Sequence, residues 1–338
     1  MIMETPLWID RHQPTIEDLP QPEVREYLQK VPDGPVNLLL VGPPGSGKTA
    51  AVRALATELH ASPEHDLQVI NVDDFFGMTK RELVEDPRVR GFLDTDHRQK
   101  SKAAIVNHVL TELASHPPVS GTFKTILLDN AEAMREDFQQ ALRRVMERHY
   151  SATQFVLTTR RRGAILDPIV SRCAQVPVRA PTTAEITDVL AAILEAEDVA
   201  YDLEGLAYLA EYADGDLREA ITAAQTTAME AETVTMESAY DALEGVGYAA
   251  DIEAMLAAAE SGSFGDARGM LDDLLIDEGF DGGEVLQEIV SVSRSRYDTD
   301  DLTAVTRLAG DIDVDLSIGT RDRVHLGNFL SQLPAALE

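Results

Sequence analysis

Residues 37–59, NLLLVGPPGSGKTAAVRALATEL, decide how this chain folds. An apolar run (Leu38, Leu39, Leu40, Val41) meets Gly42-Pro43-Pro44-Gly45-Ser46-Gly47-Lys48-Thr49, and an alanine- and leucine-rich helical pattern follows at once. Glycines in such a turn let backbone N–H groups face an anion at a helix start, where unpaired donors and the helix dipole favour negative charge. The G-x-x-x-x-G-K-[ST] spacing adds a lysine able to reach the β and γ phosphates of a nucleoside triphosphate and a hydroxyl able to ligate Mg²⁺. A glycine–proline turn before an ordinary helix needs none of these residues in this order. The stretch therefore predicts a P-loop, with ATP held by Gly42 to Thr49 and Mg²⁺ ligated by Thr49.

Outward from the P-loop, further strand-like runs alternate with helical stretches: 67–72 (LQVINV), 125–129, 154–159 and 173–178. Strands separated by helices predict a parallel, doubly wound sheet whose ligand sits at the carboxyl ends of the strands. The third run ends in Asp129. A carboxylate at the end of a buried strand is costly without a role, and beside a P-loop that role is Mg²⁺ ligation. After Val178 no strand signal is visible. Helical patterns follow over 183–195, with Thr182 or Thr183 as N-cap, then 203–212, 216–231 and 236–243. A second all-helical unit begins near Tyr248, with patterns at 252–260, 264–275, 282–295, 302–311 and 320–333.

At 338 residues the chain suits two or three domains. With 44% hydrophobic residues and no apolar run of membrane-spanning length, it reads as a soluble protein without a membrane segment or a visible signal peptide. The single cysteine, Cys173, excludes an internal disulfide and a cysteine-based zinc site, and suits a reducing, cytoplasmic compartment. The net charge of −30 is unevenly spread: residues 179–338 hold 8 Arg, no Lys and 35 Asp or Glu, a net of −27, which leaves −3 for residues 1–178. So acidic a surface fits a salt-rich cytosol, where repulsion is screened within about 3 Å at 1 M salt. A polyanion contact is then sought in the N-terminal half. There, Lys80, Arg81, Arg88, Arg90, Arg98, Lys100 and Lys102 crowd the polar stretch 77–102, though Glu82, Glu85, Asp86, Asp94 and Asp96 would balance them in a solvated loop.

Several motifs together resemble one family. They are Trp8 to Pro14, Gly42 to Thr49, Asn71 to Asp74, Asp129 to Glu132, Ala141-Leu142-Arg143-Arg144-Val145-Met146-Glu147, Pro168-Ile169-Val170-Ser171-Arg172-Cys173 and Gly215-Asp216-Leu217-Arg218-Glu219-Ala220-Ile221. The chain is similar over nearly its whole length to the replication factor C small subunits, the AAA+ ATPases of the archaeal and eukaryotic sliding-clamp loader; Glu278-Gly279 and 319–326 look like that family's collar. The resemblance implies an α/β P-loop AAA+ domain with a parallel five-stranded sheet (1–178), an all-α lid (179–245) and an all-α collar that oligomerises (246–338). It implies ATP and Mg²⁺ as cofactors, with Gly42, Pro43, Pro44, Gly45, Ser46, Gly47, Lys48, Thr49, Asp129 and Arg218 on the nucleotide and Thr49 and Asp129 on the metal. Arg172 would be an arginine finger acting in trans, and Arg218 the lid arginine. The implied partners are other replication factor C subunits, small and large, the sliding clamp and primer-template DNA, with the protein cytoplasmic and nucleoid-associated and no membrane involved.

This chain departs from the family where hydrolysis is carried out. Where the family has Asp-Glu stands Asp129-Asn130, and an amide can hold water but is no effective proton acceptor; losing a general base costs about 10² to 10⁴ in rate. Glu132 is expected to project away as the chain leaves the strand. At the family's sensor position, where Asn is usual, stands Arg160, followed by Arg161 and Arg162. The family's Lys-Tyr-Arg-Pro is Arg11-His12-Gln13-Pro14 here. These differences suggest a divergent second-type small subunit from a halophilic archaeon, binding ATP but hydrolysing it weakly. The rival expectations are a fully active clamp-loader ATPase, another AAA+ remodeller such as a branch-migration helicase, and a P-loop small-molecule kinase. The helical collar disfavours the second, and Ser171-Arg172-Cys173 would have no purpose in the third.

Overall fold

The computed structural model describes residues 7–31, 34–244, 249–277, 280–319 and 321–337. Pro6, Tyr248, Glu278-Gly279 and Thr320 lie outside the described residues. The chain divides into two compact units, 1–239 and 240–338.

The first unit is built on five parallel strands: β1 (Leu38–Val41), β2 (Leu67–Asn71), β3 (Lys124–Asp129), β4 (Thr153–Thr159) and β5 (Ala174–Pro177), in the order β2-β3-β4-β1-β5. The three central strands are buried almost throughout because helices cover both faces; their middles are apolar, while Lys124 and Thr125 of β3 and Thr153, Gln154, Thr158 and Thr159 of β4 are buried polar residues at the ends. Alternate residues divide between two cores, as the two-residue period of a strand demands. Leu39, Ile126, Leu128, Phe155 and Leu157 face one way, packing with Val106 and Leu110 of the helix Lys102–Ser115 and with Phe138 and Leu142 of Glu136–His149. Leu38, Leu40, Leu127, Val156 and Val176 face the other, packing with Val52 and Leu55 of Lys48–Leu59 and with Val24 and Leu28 of Pro22–Leu28. The expected doubly wound sheet is thus present, its strand ends shifted by a residue or so.

The polar stretch 77–102 is not a solvated loop. It forms three short helices, Lys80–Glu85, Pro87–Arg90 and Thr95–Gln99, with Leu83 of the first, Val89 of the second and Leu93 of the turn before the third buried. Their starts are written in caps: Thr79 and Glu82 form a reciprocal capping box, and Asp94 accepts from the His97 backbone N–H.

Beyond the sheet come the helices Thr183–Ala196, Leu203–Tyr212, Leu217–Glu230 and Met236–Glu244. Thr182 is the N-cap of the first, boxed with Glu185. Glu185 also takes both terminal amino groups of Arg179 at 2.7 Å, and these bonds hold its carboxyl down at about 2. This region is not wholly helical: β6 (Ala200–Tyr201) and β7 (Thr233–Val234) pair in parallel, two residues each, too short to leave a pattern in the sequence. Trp8, 5% exposed, ties the N-terminal segment to the helical region. Its backbone N–H donates to Gln225 Oε1 at 2.9 Å, and Arg11 and His12 both reach Glu197, because these acceptors stand on the helical region.

The second unit packs the helices Ala249–Glu260, Phe264–Asp272, Gly282–Arg296, Thr299–Ile318 and Asp322–Ala336 around Leu256, Leu271, Ile289, Val305, Ile312, Phe329 and Leu333. Asp298 caps the fourth by accepting from the backbone N–H groups of Asp300 and Asp301, and the helix runs on to Ile318, seven residues past the expected end at 311. Arg296 pairs with Glu260 at 2.7 Å, tying the third helix to the first.

Candidate nucleotide site

The P-loop leaves β1 at Gly42 and enters a helix at Lys48, with Gly47 as N-cap at φ +87°. Gly45 has φ +61°, and a Cβ there would meet the Asp216 carboxylate at about 2 Å. Both positions need glycine for conformation, and the second for space as well. Lys48 is 9% exposed, and its ammonium donates to the Gly42 carbonyl at 3.0 Å and to that of Pro43. Burial pushes its pKa down, aided by Arg160 and opposed by Asp129, Glu132 and Asp216. Ser46 is buried, and Gln21, 1% exposed, donates from one amide nitrogen to the carbonyls of Ser46 and Arg179, both at 2.9 Å. Nothing in the sequence around Gln21 advertises this brace.

The Thr49 hydroxyl lies 3.0 Å from each carboxylate oxygen of Asp129, across from it on β3. A hydroxyl and a carboxylate are hard oxygen donors suited to Mg²⁺, which takes its remaining ligands from water and phosphate. Among the described residues no group of three or more His, Cys, Asp or Glu could hold a metal, so an ion here would depend on a nucleotide for part of its shell.

Asn130 follows with φ +56°, a left-handed conformation that Asn tolerates better than most residues. Its backbone N–H donates to Thr158 Oγ1 at 3.3 Å and its amide to Asn71 Oδ1 at 3.3 Å. This turn corrects the expectation for Glu132. Instead of projecting away, its side chain is only 4% exposed and accepts from Arg160 Nε at 2.8 Å and from the Arg160 backbone N–H at 3.3 Å. Burial raises the Glu132 pKa, but the hydrogen bonds from Arg160 and Thr159 outweigh it and hold the carboxyl below its ordinary value.

Arg218 stands exposed in the first turn of Leu217–Glu230, whose Leu217 N–H donates to the Gly45 carbonyl at 3.1 Å. Asp216 caps that helix through the backbone N–H of Arg218 at 2.9 Å. The helix start and the P-loop are therefore in direct contact, one residue before Arg218.

Arg172 is elsewhere. It precedes β5, whereas the P-loop follows β1, and the two strands run parallel with Leu38 beside Ala174 and Val41 beside Pro177. It thus lies at the amino end of the sheet, a four-residue strand or about 13 Å from the P-loop end. There its terminal nitrogens donate to Glu147 at 2.5 Å and to the Pro168 carbonyl at 2.6 Å. Asn37 accepts from the Phe155 N–H at 2.8 Å and donates to the Arg172 carbonyl at 3.3 Å, pinning the backbone of the arginine to the sheet. Burial pushes the neighbouring Cys173 thiol up to about 12, which makes it a packing residue.

The basic stretch is only partly available to a partner. Lys102 is spent on the carbonyls of Phe76 and Met78, Lys80 on that of Gln99, and Arg81 on Glu85, whereas Arg90, Arg98 and Lys100 are exposed.

Residues 38–178 match the family described as ATPase family associated with various cellular activities (AAA), and residues 249–332 match the replication factor C C-terminal domain. The chain is 30% identical to the replication factor C small subunit of Halobacterium salinarum over 97% of its own length and 95% of the relative's. It is 30% identical to that of Methanocella arvoryzae, with 97% and 96% covered, and 31% identical to that of Staphylothermus marinus, with 97% and 94% covered. Among solved structures it resembles the Holliday junction branch migration motor RuvB of Thermotoga maritima, with a TM-score of 0.52 and 16% identity over 80% of this chain and 91% of the other. At that identity the likeness is one of fold alone.

Proposed function

The chain belongs to the replication factor C small subunits, and from that premise we propose that it serves as one ATP-binding position in a hetero-oligomeric clamp loader, lending Arg172 to the nucleotide of a neighbouring subunit. The observation that carries this is the placement of Arg172. An arginine at the amino end of the sheet cannot serve the P-loop at the carboxyl end of the same sheet, so any phosphate it meets belongs to another chain. Lys48, Thr49, Asp129 and Arg218 would hold ATP·Mg²⁺, in which the metal supplies charge neutralisation between the outer phosphates. Asn130 makes the chain's own hydrolysis weak. In this reading 1–178 is the nucleotide domain, 179–245 a lid and 246–338 the collar. The partners are other small and large subunits, a sliding clamp and primer-template DNA, met in the cytoplasm at the nucleoid. Arg90, Arg98, Lys100 and Arg161 are exposed and would touch DNA phosphates without reading bases, as a loader of any sequence must.

The test is the native mass of the chain co-expressed with candidate replication factor C partners, with and without ATP. A defined hetero-oligomer containing this chain is expected, and it should bind a ring-shaped clamp when ATP is present. A chain that stays monomeric beside every partner would refute the reading.

The acidity of 179–338 belongs to the same reading: we take it as adaptation to a salt-rich cytosol. Stability is then expected to fall as KCl drops below about 1 M, because unscreened repulsion grows with the Debye length. Thermal unfolding across a KCl series checks this, and a midpoint unmoved by dialysis into dilute buffer would contradict it.

A further inference from the structure

We infer that Glu147 is a positioning residue for Arg172, holding the guanidinium ordered at the surface so that it meets a neighbouring subunit's phosphates already aimed; this rests on the in-trans reading of Arg172. The helix Glu136–His149 carries acids at both ends. Glu136 and Asp137 stand in the first turn, where the helix dipole favours negative charge, whereas Glu147 stands near the carboxyl end, where it is disfavoured. It is the only acid of that helix after the first turn, set among Arg143, Arg144 and Arg148. Its Oε1 takes two partners: Nε of Arg143, four residues back, at 3.1 Å, and Nη2 of Arg172, 25 residues on, at 2.5 Å.

The contact with Arg143 is an i, i+4 pair on an exposed helix face and contributes little by itself. That with Arg172 does more, because the rest of this arginine is fixed as well. Its carbonyl accepts from Asn37, the next residue, Cys173, packs against the core, and Nη1 donates to the Pro168 carbonyl at 2.6 Å. Backbone and both terminal nitrogens are thus held, yet the side chain is still 33% exposed and Nε has no partner among the described residues. A guanidinium carries five N–H donors, so this clasp leaves donors for an anion arriving from outside. An arginine loose in solvent gives up its rotamer freedom when it engages a phosphate; one already ordered gives up less, and the barrier it serves is lower by that difference. Because Arg143 stays on the same carboxylate oxygen, Glu147 also keeps a partner when the arginine moves outward.

The test is steady-state ATP hydrolysis by the assembled complex with clamp and primer-template DNA, after native mass has confirmed assembly. Glu147→Ala is expected to lower kcat by about 3- to 10-fold, the scale of disordering one long side chain, and to move KM for ATP by less than about twofold, because a finger acts on the transition state. Glu147→Gln, which keeps an acceptor oxygen without the charge, should fall between wild type and Glu147→Ala. In the Arg172→Ala background neither substitution should lower kcat further, since both act through the arginine. Equal losses in the two backgrounds would make Glu147 a residue of the fold or of another contact and overturn the assignment, as would an unchanged or raised kcat in Glu147→Ala. Should Glu147→Ala fail to assemble, Glu147→Gln in the same two backgrounds decides by the same criteria. If Arg172→Ala itself turns over at the wild-type rate, the in-trans reading falls and this inference falls with it.

Discussion

Arg172→Ala is expected to lower ATP hydrolysis by the assembled complex while leaving nucleotide binding to this chain unchanged. Arginine fingers contribute about 10³ to 10⁵ in turnover at the site they serve. The loss seen overall will be smaller where other interfaces continue to work. The substitution also frees Glu147, which Arg143 still holds at 3.1 Å, so no buried charge is left stranded and the fold should survive. The checks are steady-state hydrolysis with clamp and primer-template DNA, after native mass has confirmed assembly, and nucleotide titration of the isolated variant. Normal assembly with wild-type turnover would exclude the in-trans role and make this chain a structural member of the ring.

The second large effect is at Lys48. The wild-type chain alone should bind ATP·Mg²⁺ and turn it over slowly, and Lys48→Ala should reduce binding by about 100-fold or more, as two charge-assisted phosphate contacts disappear. Nucleotide added to wild type should raise its melting temperature by mass action, and that rise should vanish in the variant. Slow turnover is expected although a carboxylate, Glu132, stands close by. Its hydrogen bonds to Arg160 hold it below the ordinary carboxylate range, and a carboxylate so engaged is a poor proton acceptor. Asn130→Glu should add activity only where a partner supplies an arginine to this interface. Brisk hydrolysis by the pure wild-type chain, lost in Lys48→Ala, would show that Asn130 is no handicap.

The sheet and the P-loop could be read in the sequence because parallel strands covered on both faces have apolar middles, and a phosphate cradle needs fixed residues at fixed spacing. Asp129 stood out for a related reason, as a charge closing an apolar run, and the structure sets its carboxylate 3.0 Å from the Thr49 hydroxyl. The three short helices of 77–102 were missed because segments of four to six residues carry too little periodicity, although the Thr79–Glu82 capping box was a signal in plain view. Glu132 was misplaced because its direction depends on the left-handed turn at Asn130, a backbone property that composition does not reveal. Gln21 was invisible for a third reason. Its two acceptors lie 25 and 158 residues away, and only the folded chain brings them together.

Gln21 and Trp8 belong to one strap, and the strap makes a closed circuit. The P-loop and the helical region are joined covalently through Arg179 and Ala180, and at Leu217 they touch through a single backbone hydrogen bond. The N-terminal segment adds a second tether: Trp8, Arg11 and His12 hold Gln225 and Glu197 at one end, and Gln21 grips Ser46 and Arg179 at the other. The junction at Arg179 is thus bridged, and its own side chain adds ion pairs to Glu23 and Glu185, each at 2.7 Å. Residues 13–20 between the two ends are themselves seated, with Ile16 and Leu19 buried in the core under the sheet, so a rotation of the helices away from the P-loop would have to break one end of the strap or pull these side chains out. Cutting the chain within that span should release this second tether while leaving the P-loop, Thr49 and Asp129 unchanged.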